Sequence, residues 1–197
     1  MVYEKDSQDN PIQTKNAFLE EAIEYAKNLG IVPKYVCFDS KFSSKSLLNK
    51  LHSSNWIYFT QLASNRSFNG CQLKMHRFQP YKEEGNLKGV GHRVSITKYC
   101  KRHYATNATG KSITSKYIVN HYRVRWSIEV LFRDLKQLCH LQDCQGKKIQ
   151  AQKHYVYMCI RALITLQDQN KKSFFQAKKH FQQKYLKIKI NGNKALR

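Results

Sequence analysis

Four side chains of complementary chemistry recur at helical spacing in the segment HYRVRWSIEVLFRDLK. Tyr122, Arg125, Glu129 and Lys136 are separated by three, four and seven residues. At about 100° per residue, all four positions fall within an arc of roughly 60° on one helix. The stripe joins a phenol, a guanidinium, a carboxylate and an ammonium, which are groups that bind phosphates and cations. The same spacing is also typical of a solvated helix face with i,i+4 charge pairs.

An apolar face on the other side of the same segment supports the helix. Five apolar side chains fall at about 160° to 240°, away from the charged stripe. They are Val124, Ile128, Leu131, Leu135 and Leu138. We therefore predict one amphipathic helix over this segment, within a helical stretch from about Ser112 to Gln137. One of its faces can be buried while the other collects the charged groups.

Asp39 is a second carboxylate with a possible chemical role. It ends KYVCFD, a short apolar run that is typical of a buried strand. Active sites of α/β sheets gather at the carboxyl ends of the strands, although Asp is also a common turn or helix-start residue. A strand-end aspartate, a helix-borne Glu129 and a very basic chain together suit metal-dependent chemistry on phosphodiesters. Carboxylates hold divalent cations, and a pair of such ions can activate the attacking oxygen and stabilise the leaving one.

The charge balance predicts a polyanionic partner. The 197 residues include 35 Lys and Arg against 13 Asp and Glu, which gives a net charge of +22. No apolar run is long enough for a membrane span, and the N-terminus does not resemble a signal peptide. The six cysteines are scattered, and we interpret them as reduced thiols. Cys139, His140 and Cys144 lack a second ligand pair at zinc-finger spacing, so we do not expect zinc there.

The first part of the chain alternates between helical and strand patterns. A helix is predicted over about 16–29, with Phe18, Ala22, Tyr25, Ala26 and Leu29 on one face and Gly30 after its end. A strand ending at Asp39, a helix opened by Ser43 or Ser44 and a strand over 56–62 follow. This order favours an α/β layer with parallel neighbouring strands.

The rest of the chain is predicted to be β-rich and then helical. Turn signals and alternating stretches such as RVSITKY predict an antiparallel β insertion over 66–105. A long helix is expected from about Ile149 to Gln167. Residues 171–197 hold nine Lys or Arg, no Asp or Glu, and four interleaved aromatic residues. This basic C-terminal tail, taken as 169–197, could dock on the core or contact nucleic acid, and the two are compatible.

The motif Tyr122-x2-Arg125-x3-Glu129-x6-Lys136 resembles the complete Y-R-E-K signature of bacterial insertion-sequence DDE transposases. The surrounding IVNHYRVRWSIEVLFRDLKQL is similar to the apolar frame of that signature. The stretch YVCFDSKFSSKSLLNKLHSSNWIYFTQLASNR resembles the region around the second catalytic aspartate of the family. The resemblance covers roughly residues 30–168, and four fixed residues in a matching frame make it specific.

The resemblance implies a fold, a cofactor and a set of site residues. The fold would be an RNase H-like α/β catalytic core over 1–168, with the β-rich insertion and a helical C-terminal part. Asp39 and Glu129 would be the second and third catalytic acids and would hold Mg²⁺ or Mn²⁺. Three residues would position the DNA backbone near the cut, and two neighbours could add phosphate contacts or only face solvent. These are Tyr122, Arg125 and Lys136, and then Arg123 and Arg133.

The resemblance also implies a partner and a location. The partner would be the double-stranded DNA of the element's ends, bound by a bacterial protein in the cytoplasm, on chromosomal DNA. The sequence departs from the family pattern at its start, because about fifteen residues cannot hold the three strands that normally precede the first helix. Asp6 and Asp9 stand in a polar segment without a strand to carry them, so the first catalytic aspartate is expected to be missing. The chain therefore resembles an N-terminally truncated catalytic domain.

Two interpretations of the function remain open at this point. In the first, the chain is the C-terminal part of a transposase that cuts and joins DNA once an upstream segment or a second copy supplies the missing part. In the second, it is an inactive remnant that binds DNA without sequence preference. A basic nucleic-acid-binding protein unrelated to transposition would leave the Y-R-E-K spacing to chance.

Overall fold

The computed structural model describes residues 14–78 and 82–170. The chain divides into two compact units, Met1–Arg125 and Trp126–Arg197. The predictions for Asp6, for Asp9 and for the basic tail beyond residue 170 lie outside the described residues. The proposed division of the chain at residue 168 stays a prediction.

The described part of the first unit contains three α-helices and seven β-strands. In chain order they are α1 (Lys15–Asn28), β1 (Val36–Phe38), α2 (Lys45–Ser53), β2 (Tyr58–Leu62), β3 (Ser67–Phe68), β4 (Cys71–Gln72), β5 (Lys82–Asn86), β6 (Arg93–Tyr99), β7 (Arg102–Thr106) and α3 (Ser115–Arg123). Each helix begins after a hydroxyl residue whose oxygen accepts a backbone N–H three residues on; these are Thr14, Ser44 and Thr114. The predicted order of helix, strand, helix and strand is confirmed.

Five strands form one mixed sheet in the order β1-β2-β7-β6-β5. β1 and β2 are parallel, with Val36 opposite Tyr58, and α2 connects them. The remaining neighbours are antiparallel, so the antiparallel strands expected over 66–105 are present. Three of them continue the sheet that β1 and β2 begin, while β3 and β4 form a small hairpin. The parallel pair and Asp39 therefore lie at one edge of a wider sheet.

Both faces of this sheet are covered, because successive side chains of a strand point to opposite faces. On one face, Phe38, Tyr58 and Ala105 pack in the core that α1 and α2 also enter. On the other face, Phe59 and Tyr104 pack with residues of α3 such as Ile118. The helices α1 and α2 therefore cover one face of the sheet, and α3 covers the other.

The buried stripe of α1 differs from the predicted one. Ile23 is buried, and Leu19 and Ala26 pack against the core, whereas Phe18 and Tyr25 are exposed. Leu19, Ile23 and Ala26 stand at i, i+4 and i+7, so they also form a regular helical face. The predicted and observed faces share Ala26, but Leu19 and Ile23 replace Phe18, Tyr25 and Leu29 against the core. Gly30 follows the helix with φ of 71°, a conformation that glycine adopts without strain.

The helix predicted to carry the Y-R-E-K stripe is interrupted, so the prediction of one continuous helix is wrong. Val124 and Arg125 form a turn in which their N–H groups bond to the carbonyls three residues back, at 3.2 and 2.9 Å. Such i→i−3 bonds tighten the last turn of a helix. The sequence has no Gly or Pro here, so periodicity alone gave no sign of the break. The angular arc computed for a straight helix does not apply across it.

The described part of the second unit contains two α-helices, α4 (Trp126–Leu138) and α5 (Ile149–Asn170). The long helix predicted from about Ile149 is confirmed. Leu135, Cys159 and Leu163 form the buried cluster of this unit. Of the apolar face predicted for the first of these helices, Leu135 is buried but Ile128 and Leu131 are exposed. Among the helices within the described ranges, none combines the length and the apolar character needed to cross a bilayer.

Candidate active site

Asp39 lies directly after β1, as predicted. It caps a short 3-10 turn, Ser40–Phe42, and its backbone carbonyl accepts the N–H of Phe42 at 2.9 Å. The Oδ1 atom accepts a hydrogen bond from the hydroxyl of Ser40 at 3.0 Å. The carboxylate is half-buried. The side chain of Asp39 makes no capping hydrogen bond to the turn, so its position follows from the end of β1.

Tyr122 and Arg125 are placed near Asp39 by the end of α3. Tyr122 lies in the last turn of the helix, and the turn that follows brings the guanidinium carbon of Arg125 to 6.0 Å from the centre of the Tyr122 ring. A cation at this distance over an aromatic face is attracted by the ring quadrupole. The break in the predicted helix thus folds the arginine back onto the tyrosine.

The pKa of Tyr122 responds to burial and to the charges of Arg125 and Asp39. Burial raises the pKa of the phenol above its ordinary value, and the charge of Asp39 raises it further. The positive charge of Arg125 and its hydrogen bond to the phenol act in the opposite direction. The phenol is therefore protonated at neutral pH and can donate a hydrogen bond. Asp39, Tyr122 and Arg125 form what we call the strand-end cluster.

Cys37 links β1 to α3 beside this cluster. Its Sγ donates to the carbonyl of His121 at 3.4 Å. Burial raises the pKa of the thiol to about 11, although the charge of Arg125 lowers it. The thiol is therefore protonated at neutral pH, and it acts as a packing and hydrogen-bonding group. The sequence analysis did not predict this role. The available signal was strand alternation, which places Cys37 on the face opposite to that of Phe38.

Aromatic rings hold the end of α3 against the sheet. The imidazole of His121 stacks on Phe59 with ring centres 4.8 Å apart, and its Nδ1 lies 2.8 Å from the carbonyl of Tyr117. The ring of Tyr104 lies 4.9 Å from that of Tyr122. Packed aromatic pairs stabilise beyond their buried area. The position of Tyr122 is therefore set by the covered sheet beneath it.

Glu129 and Lys136 lie on α4, in the second unit. Glu129 is half-buried in the first turn of this helix, and Lys136 is exposed in the last turn. They are seven residues apart, about 10 Å along the axis. A carboxylate near the N-terminus and an ammonium near the C-terminus also favour the helix dipole. The two positions therefore have a stabilising role that does not depend on a ligand.

The two additional arginines have partners of their own. The guanidinium carbon of Arg123 lies 5.9 Å from the ring centre of Tyr99, in the first unit. In the second unit, Arg133 donates from Nε and from one terminal nitrogen to Asp134, both at 3.2 Å. Within the first unit, the structure therefore brings Arg125 to Tyr122 at the end of α3 that packs beside β1, and brings Arg123 to Tyr99.

The residues of the strand-end cluster fit a divalent cation in donor type but not in number. Oxygen ligands are what Mg²⁺ prefers, and Asp39 supplies one carboxylate. Several other carboxylates are paired elsewhere: Glu24 with Lys50 at 3.3 Å, Glu83 with His76 at 2.6 Å, and Glu84 with Lys82 at 2.7 Å. Over 14–78 and 82–170, no three His, Cys, Asp or Glu side chains form a group that could hold a metal ion.

Comparison with known proteins identifies a family. The family model for the transposase DDE domain matches residues 3–165, which is most of the chain. A search of curated proteins finds no match.

Proposed function

The chain belongs to the transposase DDE-domain family, and from that premise we propose that it acts in transposition of an insertion sequence. In this proposal the mixed sheet of the first unit is part of an RNase H-like core. The double-stranded DNA of the element's ends is the substrate, and the reaction is metal-dependent strand cleavage followed by strand transfer. The proposal extends to a β-rich insertion over 66–105 and a basic tail over 169–197.

The strand-end cluster is the observation that carries the proposal. It joins a carboxylate, a protonated phenol and a guanidinium at the end of β1. A phosphodiester needs cationic and hydrogen-bonding groups to bind it, and a carboxylate to hold the ion that activates the attacking oxygen. We assign the carboxylate role to Asp39 and backbone positioning to Tyr122 and Arg125.

Residues of α4 complete the proposed assignment. Glu129 is proposed as the second carboxylate of this chain that holds the ion, and Lys136 as a group that positions the DNA backbone. Arg133 is proposed as a further phosphate contact, and Arg123 of the first unit has the same proposed role. Mg²⁺ or Mn²⁺, when bound by Asp39 and Glu129, would withdraw charge from the reacting phosphate and its attacking oxygen.

The number of carboxylates limits what the described residues do by themselves. In this proposal a third carboxylate comes from outside the described residues, since over 14–78 and 82–170 no three His, Cys, Asp or Glu side chains form a group that could hold a metal ion. The sources proposed are an upstream transposase segment and a second copy of the chain. Asp6 and Asp9 are the alternatives within the chain.

The test is nicking of an end-labelled duplex that carries the element's own end, with Mg²⁺ or Mn²⁺. We expect no nicking by the chain alone, and nicking once a transposase segment that carries the third carboxylate is added. Nicking by the chain alone would place the third carboxylate in this chain, and the variants Asp6→Asn and Asp9→Asn would then locate it. Absence of nicking under both conditions would contradict the catalytic proposal.

The net charge favours a second candidate function. With a net charge of +22, the chain can bind DNA without cutting it. Both candidates predict salt-sensitive binding, with log affinity falling linearly against log salt between 50 and 200 mM. Binding without nicking under every condition would identify an inactive remnant. A flat salt dependence would contradict both candidates.

A further inference from the structure

A basic groove lies at the end of the sheet where β5 turns into β6. We call it the hairpin groove; it is lined by the turn 87–92, by the adjoining Asn86 and Arg93, and by Ser67, Asn69 and Gly70 of the β3–β4 hairpin. Its volume is about 830 Å³. Cavities of roughly 300–1,000 Å³ are the size that holds small ligands and single units of polymers.

The chemistry of the groove is that of an anion site. Lys88 and Arg93 supply positive charge, while Asn69, Asn86 and Ser67 supply hydrogen-bonding groups. Among the described residues that line it, none carries a carboxylate. The carboxylate of Glu84, on β5, is held by Lys82 at 2.7 Å and by the backbone N–H of Gly110 at 2.8 Å. One terminal nitrogen of Arg93 donates to the backbone carbonyl of Glu84 at 3.3 Å.

A glycine makes room for Lys45 beside the turn that borders the groove. Gly89 has φ of 82°, and the methylene groups of Lys45 lie where a Cβ at this position would stand. The Nζ of Lys45 lies 3.1 Å from that position, which adds a third cation beside the groove. A residue with a side chain would therefore displace this lysine and strain the turn.

The turn is also held in place from α2. The side chain of Asn49 accepts the N–H of Gly91 at 2.8 Å and donates to the carbonyl of Gly89 at 3.2 Å. The N–H of Lys88 donates to the carbonyl of Ser67 at 2.9 Å, which joins the turn to the β3–β4 hairpin. Groups held before binding lose less freedom when a ligand arrives, so this geometry favours affinity.

The imidazole of His92 contacts buried side chains and does not add positive charge to the groove. Its Nε2 lies 3.0 Å from the hydroxyl of Tyr58, and its ring stacks on His52 with centres 3.9 Å apart. Burial lowers the pKa of His92 to about 4, and the charge of His52 acts in the same direction. The imidazole is therefore neutral at neutral pH, and Lys88, Arg93 and Lys45 carry the charge around the groove.

We propose that the hairpin groove binds the phosphodiester backbone of duplex DNA, away from the strand-end cluster. This inference rests on the proposed function, which supplies DNA as the partner. Lys88 and Arg93 contact phosphate oxygens, and the backbone of the glycine-containing turn lies close to the sugar-phosphate chain. Such contacts position DNA without reading its sequence.

The first experiment compares two double variants of equal charge in a DNA-affinity titration over salt concentration. Lys88→Ala with Arg93→Ala removes the groove cations; Lys34→Ala with Lys116→Ala removes two exposed cations that line neither the groove nor the strand-end cluster. We expect the groove variant to lose on the order of 10- to 100-fold in affinity and about 2 units of salt slope. The control pair should stay within about threefold. Equal losses in the two variants would overturn the proposal.

A neutral substitution separates the shape of the groove from its charge. Asn49→Ala removes both hydrogen bonds to the turn without changing the net charge. We expect weaker DNA binding with an unchanged salt slope, because the cations remain but are no longer held in place. Thermal unfolding followed by fluorescence checks that the fold is retained. Unchanged affinity in the folded variant would mean that the turn geometry does not contribute, which contradicts the preorganised site.

Hydrogen exchange locates the contact directly. On addition of duplex DNA, the amides of residues 87–93 should exchange more slowly, while those of α1 should not change. Protection of 87–93 by inorganic phosphate alone, at equal ionic strength, would identify a free-anion site and overturn the DNA assignment. Failure of the wild-type chain to bind DNA would reject the proposed function itself. Wild-type binding without protection of 87–93 would reject only the groove.

Discussion

The two units of the chain differ in how much buried structure supports their proposed site residues. In the first unit, the sheet is covered on both faces, and Tyr58, Phe59 and Leu48 are fully buried. In the second unit, the described buried cluster consists of Leu135, Cys159 and Leu163. Large side chains such as Trp126 and Met158 are exposed on its helices.

This difference separates two ways of placing a functional residue. Asp39, Tyr122 and Arg125 are positioned by a strand end and by a helix that packs on the same sheet, so their geometry follows from a large core. Glu129 and Lys136 are positioned by one helix with a small core of its own. The proposed site residues of the first unit are therefore held by a large core, whereas those of α4 have less support within their unit.

The largest expected effect is on the stability of the first unit. Leu48→Ala should lower the free energy of unfolding by about 2–5 kcal/mol, because the side chain is fully buried in the core beside the sheet. The matched Leu163→Ala in the second unit should cost about 2 kcal/mol or less, because fewer buried neighbours surround it. Urea unfolding can separate the units, since Trp56 is buried in the first and Trp126 is exposed in the second. An equal or larger cost for Leu163→Ala would refute the contrast.

The next effect is on DNA cleavage and compares two arginines. Arg125→Ala should lower kcat/KM about 10- to 100-fold, because the guanidinium is half-buried and held beside Tyr122. Arg133→Ala should change it less than about threefold, because this arginine is exposed and pairs with its neighbour Asp134. Steady-state nicking rates of the active assembly measure both. A larger loss for Arg133→Ala would show that the exposed helix, not the strand-end cluster, governs binding.

The smallest effect is a pH dependence confined to the first unit. The pKa of His92 is about 4 in the folded chain, below its ordinary 6.5, so the unfolded chain binds the proton first as pH falls. Stability should therefore decline from about pH 6.5 to about pH 4 and level off below, by on the order of 1 kcal/mol after allowance for solvent screening. His92→Gln should flatten this part of the Tm profile, followed through Trp56. The control His154→Gln, on an exposed position of α5, should leave the profile unchanged; an unchanged profile in His92→Gln would contradict the assignment.

Local patterns were sufficient to predict much of the first unit. The strand ending at Asp39, the helix after Ser44 and the next strand follow from apolar runs and caps that act within a few residues. The antiparallel strands between 66 and 105 follow from turn signals. Their addition to the same sheet as β1 and β2 depends on pairing between distant segments, which a local pattern does not encode.

The strand-end cluster was only partly predictable, for a physical reason. The types and spacing of Tyr122 and Arg125 indicated that they are functional. The assumption of one straight helix also predicted that they share a stripe with Glu129, which lies on a separate helix. The turn at Val124 and Arg125 replaces i→i−4 bonds by i→i−3 bonds, and nothing in the residue types signals it. Cys37 and His121 support the cluster through a tertiary contact between residues 84 positions apart, which the sequence did not reveal.

The most direct test of the account is strand nicking by four carboxylate variants of equal charge change. In the active assembly, Asp39→Asn and Glu129→Gln should each lower the nicking rate on the order of 10³-fold or more, because each removes a proposed ligand of the ion. Glu24→Gln and Asp143→Asn, whose carboxylates pair with Lys50 and His140, should nick at the wild-type rate. Wild-type nicking by Asp39→Asn or by Glu129→Gln would contradict the proposed role of that residue and, with it, the catalytic site as assigned.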